Sequence, residues 1–184
     1  MKLGFVSAIL PELGFEELID YAALLKYECV EICCWPVGKA ERRYAGVTHI
    51  DVDTLDDRKK EHISQYVRQK NITISALGYY PNPLDPDREK GSFYIQHIRK
   101  LIEASSKLGI NRINTFIGRD KNRTVEENFE SFRLIWPDII RFATDRGVKV
   151  GIENCPMIFT RDEWPGGNNL ATTPVIWRRM FEEI

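Results

Sequence analysis

The sequence predicts an α/β protein of the (β/α)8 TIM-barrel type, with about five β-α units in its 184 residues. Short apolar runs alternate with stretches of helical spacing, and such alternation implies a parallel sheet with right-handed crossovers. Several runs are apolar on one face only, which favours a barrel over a sheet covered by helices on both sides. Since a complete barrel takes about 250 residues, we expect an incomplete one. We expect a single domain over 1–184, truncated at its C-terminus and lacking strands six to eight.

Each predicted strand is a short run rich in apolar and β-branched residues, as is typical of a buried parallel strand, and Gly, Pro or Asn marks one or both ends of the later runs. Along the chain these runs are 2–8, 29–35, 72–79, 110–117 and 148–156. Pro36 ends the second run, and Asn71 leads into the third. No change of composition between the runs marks a second domain.

The helices follow from apolar residues at helical spacing and from their capping residues. With their caps, the predicted helices are 15–25, 54–69, 92–108, 124–146 and 173–184. Thr54, Thr124 and Thr173 are the expected N-caps. Glu127, three residues after Thr124, completes a capping box. Pro137 is expected to bend the fourth helix or to divide it in two.

The composition excludes several functional classes. Hydrophobic residues make up 43%, charged residues 29%, and the net charge is -1, as in an ordinary soluble globular protein. The sequence has no basic stripe of the kind that would predict a nucleic-acid partner. Its first apolar run is too short to span a membrane. The four cysteines form neither a disulfide framework nor spaced zinc-binding pairs. We therefore expect reduced cysteines packed as small apolar side chains in a cytoplasmic protein.

Charged residues on the inner faces of the strands distinguish the two candidate architectures. The fifth run places Lys149, Gly151 and Glu153 on the face opposite its apolar residues, and other runs add Glu31 and Arg112. A five-stranded doubly wound sheet would bury these charges under helices, at several kcal/mol for each unpaired one. In a barrel they line the interior, where we expect Glu31 to pair with Arg112 or Lys149.

Four residues near the predicted carboxyl ends of strands are candidate site residues. Glu153 ends strand five, where barrel enzymes place their active-site groups, although a salt-bridge partner is the alternative interpretation. Trp35, Tyr79 and Asn114 lie on the predicted inner face at the upper ends of strands two, three and four. They are candidate substrate-binding residues, because an amide and flat aromatic rings offer hydrogen bonds and apolar contact to a ligand. Packing inside the barrel is the alternative, and it suits Asn114 least because a buried amide needs partners. Trp164, after strand five, is expected to form part of a lid or to anchor its loop.

Four segments together carry a family resemblance. They are MKLGFVS at 1–7, GYYPNPL at 78–84, KLGI running into NTFIGRD within 107–120, and GIENCP at 151–156. In this order and spacing the chain resembles the sugar phosphate isomerase/epimerase superfamily, the xylose isomerase-like TIM barrels. The resemblance covers essentially the whole chain, as the N-terminal five-eighths of the family's length.

The resemblance implies a metal-dependent isomerase or epimerase that acts on a small sugar, keto-sugar or inositol derivative. Family members bind one divalent metal ion, often Mn²⁺, Mg²⁺, Co²⁺ or Zn²⁺, and Glu153 matches the ligand on strand five. The metal polarises a carbonyl, and a carboxylate moves the neighbouring proton. Glu153 is thus the expected metal ligand and catalytic acid/base. Because the other ligands belong to strands six to eight, the metal is expected in the full-length parent rather than in this chain alone.

Other functions remain open at this point. The chain is alternatively a non-catalytic fragment or assembly module, forming a homo-oligomer through the exposed edges of its barrel. A related dehydratase acting on an inosose would use the same metal and acid. A nuclease similar to endonuclease IV is disfavoured, because its metal-binding histidines lie at strand ends. Here His49 is predicted in a loop, and His62 and His97 in helices.

Overall fold

A computed structural model describes residues 1–38, 45–156 and 167–184. In these residues, five strands form one sheet in the order β1-β2-β3-β4-β5, and all neighbouring strands run parallel. The strands are β1 Gly4–Val6, β2 Cys29–Cys33, β3 Thr73–Gly78, β4 Arg112–Thr115 and β5 Lys149–Ile152. Trp164, predicted to form part of a lid or to anchor its loop, lies outside the described residues.

The helices follow their strands as predicted. They are α1 Phe15–Leu24, α2 Asp57–Gln69, α3 Arg88–Lys107, α4 Val125–Thr144 and α5 Pro174–Glu183, with 3-10 turns at Ser7–Ile9 and Val52–Thr54. The capping box of Thr124 and Glu127 is confirmed, and so is the Thr173 cap. The Thr54 cap is wrong: Asp56, whose carboxylate accepts from the Lys59 amide, begins α2.

One proline lies within α4, and two glycines end α3 and α4. Pro137 lies inside one continuous helix, so the alternative in which it divides α4 is wrong. Gly109 and Gly147 end α3 and α4 with φ of 71° and 67°, a left-handed conformation that costs glycine no steric strain.

The sequential strand order decides between the two architectures. Right-handed crossovers that always advance to the next strand place every helix on the same side of the sheet. A doubly wound sheet must instead reverse its strand order to cover both sides. The sheet is therefore an arc of a barrel with helices outside, and its other face is the barrel interior, as predicted.

The hydrophobic core lies between this arc and the helices. Fully buried side chains include Leu18, Ile32, Leu77, Ile98, Ile113, Phe129, Phe132, Trp136 and Ile139. Each such side chain contributes roughly 1.5–3 kcal/mol through its burial. The indole of Trp136 also donates to the carbonyl of Ile117 at 3.1 Å, which ties α4 to the end of β4.

Helix α5 is held on α4 by charged groups. Arg179 donates to both carboxylate oxygens of Glu126, at 2.6 and 2.7 Å, and its guanidinium lies 3.8 Å from the ring centroid of Phe129. Glu183 accepts from Arg179 at 2.6 Å and from Arg133 at 2.9 Å. These contacts fix the orientation of α5 more than they add to stability, because they lie at the surface.

An irregularity in β3 sets which of its side chains face the interior. Val30 pairs with Ile74, but the next residue, Glu31, pairs with Ala76, so Ser75 is an extra residue in β3. An inserted residue exchanges the two faces of every later position in the strand. Tyr79 therefore points outward, and the prediction that it lies on the inner face is wrong. Tyr80 takes the inner position.

No helix within the described ranges is both long and apolar enough to cross a bilayer.

Candidate functional site

The inner face of the sheet carries a hydrogen-bonded carboxylate, that of Glu31. Asn114 donates its side-chain amide to Glu31 Oε2 at 2.6 Å, and the Tyr80 hydroxyl donates to Glu31 Oε1. The three side chains come from β2, β4 and the residues that follow β3, and all three are half-buried. Glu31 thus joins three neighbouring strands through donors that carry no charge.

Two glycines make room for the side chains of Glu31, Asn114 and Tyr80, which together are called the Glu31 group. A Cβ atom on Gly78 would lie 2.5 Å from Glu31 Oε1. A Cβ atom on Gly151 would collide with Asn114 Oδ1. Gly78 and Gly151 are therefore the positions where the sheet lets the carboxylate and the amide lie close to its backbone.

Tyr80 is a hydrogen-bond donor that keeps its proton. Burial raises the pKa of the Tyr80 phenol far above its usual value, and the negative charge and hydrogen bond of Glu31 raise this pKa further. The ring of Tyr80 packs beside Phe116, with 5.1 Å between ring centroids. The phenol therefore stays neutral over the whole physiological pH range.

Glu153 lies just beyond the carboxyl end of β5. Its amide donates to the carbonyl of Thr115 at 3.1 Å, which extends the pairing of β4 and β5 by one step. Its side chain is exposed, and its charge contributes to the raised pKa of Tyr80. Glu153 and the Glu31 group therefore share the interior of the arc.

The backbone around Glu153 is fixed by a buried side chain, that of Asn169. Its Oδ1 accepts from the amides of Ile117 at 3.1 Å and Gly118 at 3.2 Å. Its Nδ2 donates to the carbonyls of Glu153 at 3.2 Å and Cys155 at 2.6 Å. Asn169 thus connects the loops that leave β4 and β5.

The predicted site residues fall into two groups. Asn114 and Glu153 face the interior. Tyr79 is fully buried on the helix side, with its ring 4.9 Å from Trp35 and 4.6 Å from His97 between centroids. Trp35 and Tyr79 line a separate cavity of about 170 Å³, whose lining includes none of the interior carboxylates.

The predicted pairing of Glu31 with a cation is wrong. Arg112 and Lys149 pair with each other in register at the amino ends of β4 and β5, and both are exposed. Glu31 lies instead beside Asn114, which follows Arg112 by two residues along β4. The position of Asn114 on the inner face was visible in the strand pattern, but nothing in the pattern showed which donor Glu31 receives.

Sequence reasoning missed Tyr80 and Asn169. Tyr80 was missed because its face depends on the extra residue in β3. Asn169 was missed because its partners are backbone groups at least 14 residues away, which leave no local signal.

The side chains that the structure describes do not form a complete metal site. Within the described part of the chain, no group of three or more His, Cys, Asp and Glu side chains could hold a metal ion. Glu153 offers one carboxylate, whereas a divalent ion takes at least four ligands.

Comparisons with known proteins agree with this geometry. The family model described as "Xylose isomerase-like TIM barrel" matches residues 19–180. The uncharacterized protein YfiH of Bacillus subtilis is 26% identical over 145 residues, which are 77% of this chain and 44% of that protein.

Solved structures share the fold at low sequence identity. The probable 3-DHS dehydratase AsbF from Bacillus anthracis has a TM-score of 0.72 at 13% identity, over 100% of this chain and 59% of that one. D-psicose 3-epimerase from Clostridium cellulolyticum, solved with D-tagatose, has a TM-score of 0.68 at 16% identity, over 100% and 60%. The IOLI protein, solved with a binding zinc atom, has a TM-score of 0.68 at 16% identity, over 99% and 58%.

The chain thus spans 44% of the length of the curated relative and about three-fifths of these structures. The family model covers most of the chain, and the strand order, helices and interior face are those of a barrel arc. The chain belongs to the xylose isomerase-like TIM barrel family.

Proposed function

We propose that the protein is a metal-dependent isomerase or epimerase that moves a proton on a carbon next to a carbonyl group. Its substrate class is a small sugar, keto-sugar or inositol derivative. The observation that carries the proposal is the position of Glu153, exposed at the carboxyl end of β5 on the interior side. This is the end of a barrel strand at which catalytic groups lie.

The chemistry needs a base beside an acidified C–H bond. A carboxylate within reach removes the proton and returns it to the same or the neighbouring carbon. Glu153 is the group that would do so, and it would also be a ligand to a divalent ion. When bound, Mn²⁺, Mg²⁺, Co²⁺ or Zn²⁺ would supply Lewis-acid polarisation of the carbonyl.

The other interior groups would hold the substrate. Asn114 stands at the floor of the interior. Tyr80 keeps its proton because its pKa is raised, donates a hydrogen bond to Glu31, and offers its ring beside Phe116 as an apolar surface. Trp35 and Tyr79 lie in their own cavity, so we propose that Tyr80 takes the interior role predicted for Tyr79.

The test is solvent deuterium exchange. A version of the protein extended by strands six to eight, which are expected to supply the other metal ligands, is incubated in D₂O with Mn²⁺ and a panel of ketoses and inososes. NMR follows deuterium incorporation next to the carbonyl. Glu153→Gln should abolish incorporation, whereas Glu130→Gln, a change at an exposed glutamate of α4, should not. Equal exchange in both variants, or none with any substrate in the unmodified protein, would overturn the proposal.

The same assay separates two related enzymes. An epimerase or isomerase returns the proton and leaves the substrate mass unchanged apart from deuterium. A dehydratase removes the same proton but expels a hydroxyl as water, which mass spectrometry detects as a loss of mass.

A second candidate is an assembly module without catalysis. The observation that favours it is that β1 and β5 are the outer strands of the described sheet, and exposed strand edges pair with other chains. Size-exclusion chromatography with light scattering tests for a homo-oligomer. A monomer across the accessible concentration range would exclude assembly through these edges.

A further inference from the structure

The Glu31 group has hydrogen-bond acceptor positions to which no described residue donates. An ionised carboxylate offers about four acceptor positions, and Asn114 and Tyr80 occupy one on each oxygen of Glu31. In the chain as far as it is described, Asn114 Oδ1 receives no hydrogen bond. Tyr80 spends its donor on Glu31. What remains for a ligand is a set of acceptors on a half-buried floor.

Such a floor selects a ligand that brings donors. Hydroxyl groups donate to carboxylate and amide oxygens, whereas a phosphate group brings negative charge and acceptors only. The carboxylates of Glu31 and Glu153 both repel a phosphate in this interior. The rings of Tyr80 and Phe116 add a flat apolar surface beside the acceptors.

The floor lies below the reacting end of the site. Asn114 pairs in register with Gly151, and Glu153 lies two residues after Gly151, just beyond the end of β5. Two residues of a strand span roughly 6.6 Å. A substrate whose reacting carbon is at Glu153 therefore extends its other hydroxyl groups toward Glu31 and Asn114.

We propose that Glu31, Asn114 and Tyr80 form a subsite for the hydroxyl groups of the unreacting, unphosphorylated end of a polyhydroxy substrate. This subsite rests on the proposed function for its orientation relative to Glu153. Its effect is on specificity: it admits a neutral polyol end and excludes a phosphorylated one. Glu31 contacts the substrate, Asn114 adds an acceptor, and Tyr80 holds Glu31 in place.

The experiment measures binding of fructose and of fructose bisphosphate, which is phosphorylated at both ends, by titration calorimetry or ligand-observed NMR. The unmodified protein should bind fructose and exclude the bisphosphate. Glu31→Gln removes a charged acceptor, whose hydrogen bonds are worth enough to weaken fructose binding by about tenfold or more. The same variant should narrow the discrimination between the two ligands, a change that a purely structural role would not produce.

Two further variants keep the test decisive if Glu31→Gln fails to fold. Asn114→Ala should also weaken fructose binding, and Tyr80→Phe should weaken it less because the ring remains. Glu130→Gln and Tyr21→Phe are matched changes at exposed positions and should leave binding unchanged. Bisphosphate binding equal to that of fructose, or unchanged binding in folded Glu31→Gln or Asn114→Ala, would overturn the subsite.

Failure of the subsite is separable from failure of the proposed function. Fructose binding that depends on Glu31, without any deuterium exchange, supports the subsite and overturns the proposed function. Deuterium exchange that depends on Glu153, together with fructose binding that does not depend on Glu31 or Asn114, supports the proposed function and overturns the subsite.

Discussion

Asn169 donates its side-chain amide to the backbone carbonyl of Glu153 at 3.2 Å, and so fixes the chain where β5 opens into its loop. The same side chain accepts from two amides that follow β4. The catalytic role proposed for Glu153 would require a backbone held within a fraction of an ångström. The buried amide supplies that restraint from a residue 16 positions further along the chain.

Replacement of Asn169 by Ala should therefore destabilise the protein. The change leaves two amides and two carbonyls without their partner, and we expect a loss of about 2–4 kcal/mol in the free energy of unfolding. Urea denaturation measures the loss, and hydrogen exchange should quicken at the amides of Ile117 and Gly118. Asn122→Ala, at an exposed position in the loop after β4, is the control. A loss equal to that of the control would show that Asn169 holds nothing.

A methyl group at Gly151 should disturb the hydrogen bond that Asn114 donates to Glu31. Gly151→Ala places a Cβ atom against Asn114 Oδ1, and the amide must rotate away from Glu31. Since that hydrogen bond involves a charged acceptor, we expect a loss of roughly 1.5–3 kcal/mol in unfolding free energy.

The control for this change is Gly38→Ala, because an added Cβ at Gly38 meets nothing within 4 Å. Thermal unfolding compares the two variants. If Gly151→Ala and Gly38→Ala melt alike, the amide has another rotamer available and the glycine is not required for space.

The elements and their order could be predicted because their signals are local. The capping box of Thr124 and Glu127, with partners three residues apart, is an example. The one-sided apolar pattern of strands four and five also predicted the barrel interior. Local signals failed at α2, where Asp56 rather than the nearby Thr54 accepts the first amide.

The contacts within the site could not be predicted, because they depend on register and on distant backbone groups. One extra residue, Ser75, exchanges the faces of Tyr79 and Tyr80, and the period-two pattern does not mark where it enters. Glu31 was expected to pair with Arg112 or Lys149. Both lie on the predicted face, but they are at the amino ends of their strands and not at the height of Glu31. Asn169 acts on residues that the sequence places in other loops.

The cysteines provide a test of the core. All four are free, as expected; Cys33 and Cys34 are fully buried, while Cys29 and Cys155 are half-buried. Burial raises the pKa of the Cys33 thiol to about 11, so near neutral pH it carries almost no reactive thiolate.

We therefore expect a maleimide at pH 8 to label Cys29 and Cys155 before Cys33 and Cys34, with peptide mass spectrometry as the measurement. Labelling in denaturant, where all four should react, is the control. Rapid native labelling of Cys33 would mean that the interior opens more often than the structure implies.

The raised pKa of Tyr80 predicts how stability depends on alkaline pH. In the unfolded chain the phenol loses its proton near the usual tyrosine pKa of about 10. Folding raises this pKa, so the folded protein keeps the proton at higher pH. The stabilisation that Tyr80 provides is fully present below about pH 10 and is lost as pH rises above it. One proton corresponds to a decline of about 1.4 kcal/mol per pH unit in the free energy of unfolding.

Tyr80→Phe should be less stable than the unmodified protein at pH 8, but its free energy of unfolding should decline less steeply above pH 10. Urea denaturation from pH 8 to 11 measures both slopes, and Tyr21→Phe should keep the slope of the unmodified protein. Parallel slopes for the unmodified protein and Tyr80→Phe would mean that the phenol is not held protonated beside Glu31.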